Sequence, residues 1–162
     1  MSSVNYVDIG LNSVEEYWSH VVIPNLQAFR ASPAPNSAYL AALSLWHLQD
    51  WVWHDQNPGL HGERRAFEKF RKKLLKACPE LGWLGDIANA GKHRGLRLPA
   101  IVKGAAPDLM PKSNMTIGGT SGFMEMVTLK LDDGSKQDVG ATLQKAVDFW
   151  RDQLKAKNLP AP

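Results

Sequence analysis

Apolar residues in this chain gather into runs that polar residues interrupt at regular intervals, and one interruption is abrupt. The run Ala38–Trp46, "AYLAALSLW", is among the most apolar in the chain. It passes directly into "HLQDWVWHDQ" (His47–Gln56), where two histidines, two acids and two tryptophans fall within ten residues. Apolar side chains belong inside and imidazoles and carboxylates outside unless a partner satisfies them. The stretch therefore reads either as a site or as the wet end of a core helix.

The same patterning divides the rest of the chain. Asn12 or Ser13 can cap a first helix, with Glu15 and Glu16 favourably placed in its first turn, and that helix runs to about Ala31 with Pro24 kinking or breaking it. "SPAPN" is a loop, and Ser37 is a candidate cap for a second helix from Ala38 to about Asp55. "NPGLHG" punctuates the chain again. A third helix spans roughly Glu63 to Ala77, with Phe67, Phe70 and Leu74 on one face and Arg65, Lys69, Lys72 and Lys76 on the other. Pro79 suits the opening of a fourth helix that continues to about His93 and stops at Gly95.

Beyond Gly95 the period changes. "FMEMVTLKL" alternates like a strand, "DDG" at 132–134 suits a hairpin turn, and "SKQDV" returns as a short strand, with "SNMTIGG" as a further candidate. From about Val139 to 157 a last helix presents Leu143, Val147, Trp150 and Leu154 at helical spacing. The expected fold is mainly α. It is a bundle of about five helices with a small antiparallel β-meander or hairpin inserted over about 97–138, all within one domain, 1–162.

Composition adds limits. Hydrophobic residues make up 44% and charged residues 22%, ordinary for a globular protein, and the net charge of +3 tilts the molecule mildly toward anionic partners. Cys78 is alone, which excludes an intramolecular disulfide and suits a reducing compartment. The opening "MSSVNYVDIG" lacks the pattern of a signal peptide, and no apolar run approaches the roughly 20 residues of a membrane span. A cytoplasmic protein without a membrane partner is the expectation. Its single thiol continues the Phe67–Phe70–Leu74 face, which favours a buried, inert group over a nucleophile beside His93.

Candidate chemistry centres on two helices. On the second, His47, Asp50 and His54 fall within a 60° arc, beside an aromatic stripe of Tyr39, Trp46 and Trp53. On the fourth, Asp86, Asn89 and His93 repeat the spacing. If the second, third and fourth helices run up, down and up, the strips face each other, His47 near Asp86, Asp50 near Asn89, and His54 near His93. Three chemistries suit such a cluster. His47, His54, His93 and Asp50 or Asp86 form a ligand set for a divalent metal ion. His93, tuned by Asp50 or Asp86, suits a general acid or base, with Lys92 or Arg94 holding an anion. The third is a polar network that organises the core.

"HLQDW" followed by "DIANAGKH" resembles a group of uncharacterised bacterial helical proteins with HxxDW and DxANAxKH motifs, distantly similar to HEPN-domain proteins. The resemblance implies a small helical bundle, often dimeric, and a metal-independent ribonuclease or an inactive RNA-binding relative of toxin–antitoxin or phage-defence systems. The HEPN likeness, carried by "ANAGKH", implies Asn89 as the polar motif position and His93 as the catalytic histidine, while Asp50 and His54 join them as candidate catalytic residues through the facing strips alone. This chain departs from the HEPN pattern where the motif arginine falls on Ala88.

Three functional classes follow. The first is a helical protein whose His/Asp strip organises the core or binds a small ligand or metal. The second is the ribonuclease or RNA binder, and the third is a protein-interaction module, with a second copy of the chain as a candidate partner. The stripe Arg65, Lys69, Lys72, Lys76, extended by Arg94, is the candidate phosphate-binding surface for RNA or another anionic ligand. "IGGTSGF" is glycine-rich but lacks the Lys-Ser or Lys-Thr of a phosphate loop, so it reads as a turn. Most of the six tryptophans belong in the core. Trp51, beside the Asp50 strip, is the candidate wall of a pocket or contact.

Overall fold

Helical segments dominate the computed structural model, which describes residues 10–60, 63–93, 127–131 and 135–161, with the side chains of 90–93 and 130 outside that set. The elements are α1 (Val14–Tyr17), a π-turn (Trp18–Val22), α2 (Ile23–Ala31), α3 (Pro35–Gln56), α4 (Arg64–Ala77), α5 (Pro79–His93), strands β1 (Thr128–Lys130) and β2 (Lys136–Asp138), α6 (Val139–Gln153) and a closing 3-10 turn (Lys155–Lys157). With α1 to α2 forming one interrupted rod, the helices among the described residues number five and the antiparallel hairpin precedes the last of them, as the patterning leads one to expect. No helix among the described residues is long and apolar enough to cross a membrane. The expected strand "SNMTIGG", the turn "IGGTSGF", and Gly95 lie outside the described residues.

Local chemistry explains most boundaries. Ser13 caps α1, its Oγ accepting the Glu16 N–H at 3.1 Å, while Glu16 reaches back to accept the Asn12 N–H at 2.6 Å. Pro24 has no N–H to give the preceding turn, and the rod widens just before it: the Ile23 N–H bonds to the Trp18 carbonyl, five residues back. The proline thus interrupts the hydrogen-bond ladder without ending the helix.

At α3 the sequence reading needs correction. The helix starts three residues earlier than Ala38, with Ala34 at the cap and Pro35 in the first turn, where a fixed φ and a missing N–H cost nothing. Ser37 is therefore not the cap. It occupies the third helical position, accepting the Ala34 N–H at 3.1 Å and donating to the Ser32 carbonyl at 2.8 Å. Asp138 caps α6 by accepting the Ala141 N–H at 2.6 Å.

The core runs along α3, which packs against every other helix, most extensively against α5. Gly85 permits that approach, because a Cβ there would meet the Trp46 indole at 2.8 Å. Trp150 of α6, fully buried, donates its indole N–H to the Leu45 carbonyl of α3 at 3.2 Å, and Tyr17 donates to the Ser44 carbonyl at 3.2 Å. Trp18, also fully buried, donates to the Pro160 carbonyl at 3.0 Å. Each such aromatic is worth about 1.5–3 kcal/mol in burial, and the bonded N–H or O–H removes the penalty of an orphaned donor.

The hairpin lies against the start of α6. Its register pairs Thr128 with Asp138, Leu129 with Gln137 and Lys130 with Lys136, and the Val139 N–H bonds to the Val127 carbonyl at 2.9 Å. Leu129 joins the helical core and Leu131 is buried beside it on the same face of the strand, so two strands too few to stand alone are held by what they cover.

Candidate functional site

Asp50 and the histidines of α3 lie on its solvent side. His47 Nδ1 and Asp50 Oδ2 form a pair at 3.3 Å, with side chains 50% and 39% exposed, and His54 is exposed one turn on. Asp86 of α5 is by contrast 2% exposed, and Asn89 is half-buried. His47 and Asp50 pair with each other across one turn of α3, and the buried side of the helix, which includes Trp46, Gln49 and Trp53, lies about 100° around from the histidines at that edge. The reason is area. Two indoles bury far more apolar surface than an imidazole–carboxylate strip, and they set the rotation of the helix.

Among the described residues no group of three or more His, Cys, Asp or Glu side chains converges to hold an ion. The His93 side chain, the remaining expected ligand and the expected acid or base, lies outside the described residues, as does Arg94.

Other expectations find clear placements. Trp51 stacks on Tyr17, ring centroids 4.9 Å apart and planes 22° from parallel, so it packs against the bundle. Burial first, and the Asp50 charge second, push the Tyr17 phenol up to about 12. Cys78 is buried at the α4–α5 junction, and burial raises its thiol to about 11, which keeps it protonated and unreactive near neutral pH. Glu80 beside it is raised by burial but lowered further by Lys145, whose Nζ lies 2.9 Å away; the net shift is downward.

The basic stripe survives intact. Arg65, Lys69, Lys72 and Lys76 are all exposed on α4, and none forms an ion pair among the described residues. The only acid inside α4, Glu68, is taken by Arg64 at 2.9 Å. Seven Arg or Lys residues and one Glu occupy Arg64–Ala77, so this helix carries +6 while the whole chain carries +3. The remainder of the chain is net −3 by difference, and the net positive excess is thus concentrated on one element.

Periodicity alone overlooks a second polar arrangement, between α3 and α4. Arg71, outside the stripe, turns toward α3, its guanidinium carbon 4.7 Å from the Phe67 ring centre and 5.3 Å from that of Trp46. Its Nε–H donates to Gln49 Oε1 at 3.1 Å. Gln49 is only 3% exposed, and its Nε2 has no hydrogen-bond partner. The sequence held one signal of this: Gln49 lies on the Trp46–Trp53 arc, a polar residue where the neighbours are the largest hydrophobes of the helix.

No protein-family model, curated protein or solved structure gives a significant match to this chain.

Proposed function

We propose that this protein binds RNA along the exposed face of α4. The observation that supports this most directly is charge segregation: +6 on fourteen residues, against −3 on everything else, with four stripe cations that no carboxylate neutralises among the described residues. A helix face of this kind attracts a polyanion by releasing its condensed counterions, and the acidic remainder orients the approach. Arg65 to Lys76 spans about 16 Å at 1.5 Å per residue, enough to follow several phosphates along one strand. RNA is the polyanion that the HEPN resemblance implies.

The His47–Asp50–His54 strip takes no part in this reading beyond that of a solvated face. The test is RNA affinity as a function of salt. For a single strand the slope of log affinity against log salt is about −0.7 per phosphate neutralised, so replacing all four stripe cations by Gln reduces its magnitude by up to about 3. An unchanged slope in that variant, with its helicity intact, overturns the proposal.

A further inference from the structure

The cationic face of α4 is broader than the four-residue stripe along it. At about 100° per residue, six exposed cations, Arg64, Arg65, Lys69, Lys72, Lys73 and Lys76, fan over about 180° of the helix. They fall on two sides. Arg65 and Lys72 lie within about 20° of each other, Lys69 and Lys73 centre about 70° further round, and Lys76 stands between them. The opposite half of α4 is spent on the bundle: Leu74 is buried, and Phe67 and Phe70 pack on Trp53 with ring centres 5.8 and 5.4 Å away. The bond from Arg71 to Gln49 fixes the roll of the helix, so the fan is held in one orientation.

Two properties of this face select among the forms of RNA. The first is what it offers. Every exposed side chain of α4 is charged except that of Ala77, and its aromatic rings are turned toward α3, so the face presents charge and leaves no ring for a base to stack on. A single strand presents its bases, and its binders draw on stacking. A double helix turns its bases inward and its phosphates outward, at twice the charge per length of one strand. The second property is breadth. One strand carries one row of phosphates, which occupies one side of the fan, whereas two rows edge each groove of a duplex. In A-form RNA the major groove is deep and narrow, so those rows come close together while the base edges stay beyond the reach of side chains.

We infer that α4 grips double-stranded RNA by its paired backbones, Arg65 and Lys72 on one phosphate row and Lys69 and Lys73 on the other, an inference that rests on the RNA-binding reading of α4. Recognition is then of shape and charge, indifferent to base sequence.

Salt titrations of the full chain with one RNA sequence, as a single strand and as a duplex of equal length, are the test. The duplex should bind about tenfold more tightly near 0.1 M salt and with the steeper salt slope, the gain of one or two further phosphates. A duplex of unrelated sequence should bind within about threefold of the first. Arg65→Gln/Lys72→Gln and Lys69→Gln/Lys73→Gln each empty one side of the fan. A single strand can use the side that remains, so each variant should lose severalfold more affinity for the duplex than for the single strand, with helicity by circular dichroism retained.

Equal or weaker binding of the duplex overturns the inference and leaves the RNA reading in place, and so does an equal loss on both forms in both variants. If neither form binds, the RNA reading falls and the inference with it. A DNA duplex of the same sequence separates the two sources of paired phosphate rows. Tighter binding to RNA supports the narrow A-form groove, and tighter binding to DNA overturns the assignment to RNA.

Discussion

Helix α3 carries two polar groups of opposite character on arcs about 100° apart. One is the strip of His47, Asp50 and His54, rich in chemistry-bearing residue types and on the solvent side of the helix. The other is a single glutamine, chemically modest, buried between indoles and bonded to an arginine from the next helix. The comparison teaches that residue type is a poor guide to where polarity matters. A histidine in water makes no demand on the structure, whereas a buried amide must be matched or leaves a penalty behind.

Substitutions on the two arcs should separate them widely. Trp46→Ala removes the ring that lies beneath Arg71 and against Gly85, and should cost about 3–5 kcal/mol in a denaturant titration. Raising pH probes the boundary between the arcs. The Tyr17 phenol, lifted to about 12 by burial and by Asp50, ionises more easily in the unfolded chain, near its ordinary value of 10. Stability is therefore full below pH 10 and declines between 10 and 12, by about 2–3 kcal/mol in total at 1.36 kcal/mol per pKa unit. Ultraviolet absorbance at 295 nm should follow the same ionisation, and Asp50→Asn should shift it slightly downward.

Gly85→Ala should cost about 1–3 kcal/mol, because its methyl would meet the Trp46 ring at 2.8 Å and α3 and α5 must part to admit it. Arg71→Ala should cost a similar or smaller amount, about 1–2 kcal/mol, through the lost ring contacts and the orphaned Gln49 oxygen. The exposed arc should barely respond: the double variant His47→Ala/His54→Ala is expected within about 0.5 kcal/mol of wild type by thermal melting. A loss as large as that of Arg71→Ala would mean that the strip is tied to the fold after all.

The fold was legible because its punctuation is local. Pro79 at the start of α5, the switch from helical to alternating period before β1, and the return to helical spacing at Val139 are properties of neighbouring residues. The α4 stripe was legible for the same reason, since one helix determines it alone. Ser37 misled because two adjacent signals competed, and a proline that fits the first turn displaced a serine that fits the cap. The meeting of Arg71 with Gln49 was not legible. It depends on the rotation and register of two helices, and those are set by the combined area of Trp46, Trp53, Phe67 and Phe70 rather than by either polar residue. Asp86 and His47 have compatible chemistry and equivalent spacing, yet α3 buries its aromatic arc and leaves the histidine in water.

The bond from the Trp18 indole to the Pro160 carbonyl joins residues 142 apart in the chain. Lys157 reinforces it, reaching Glu15 at 2.8 Å and Asp55 at 3.1 Å. On a ribosome adding about 5–20 residues each second, Trp18 waits roughly 7–30 s between its own synthesis and that of the residue it bonds. Through that interval one of the largest side chains of the core has no permanent acceptor for its N–H. The last helix and the turn behind it must dock before the first rod is complete, so folding closes from the end of the chain back to its beginning.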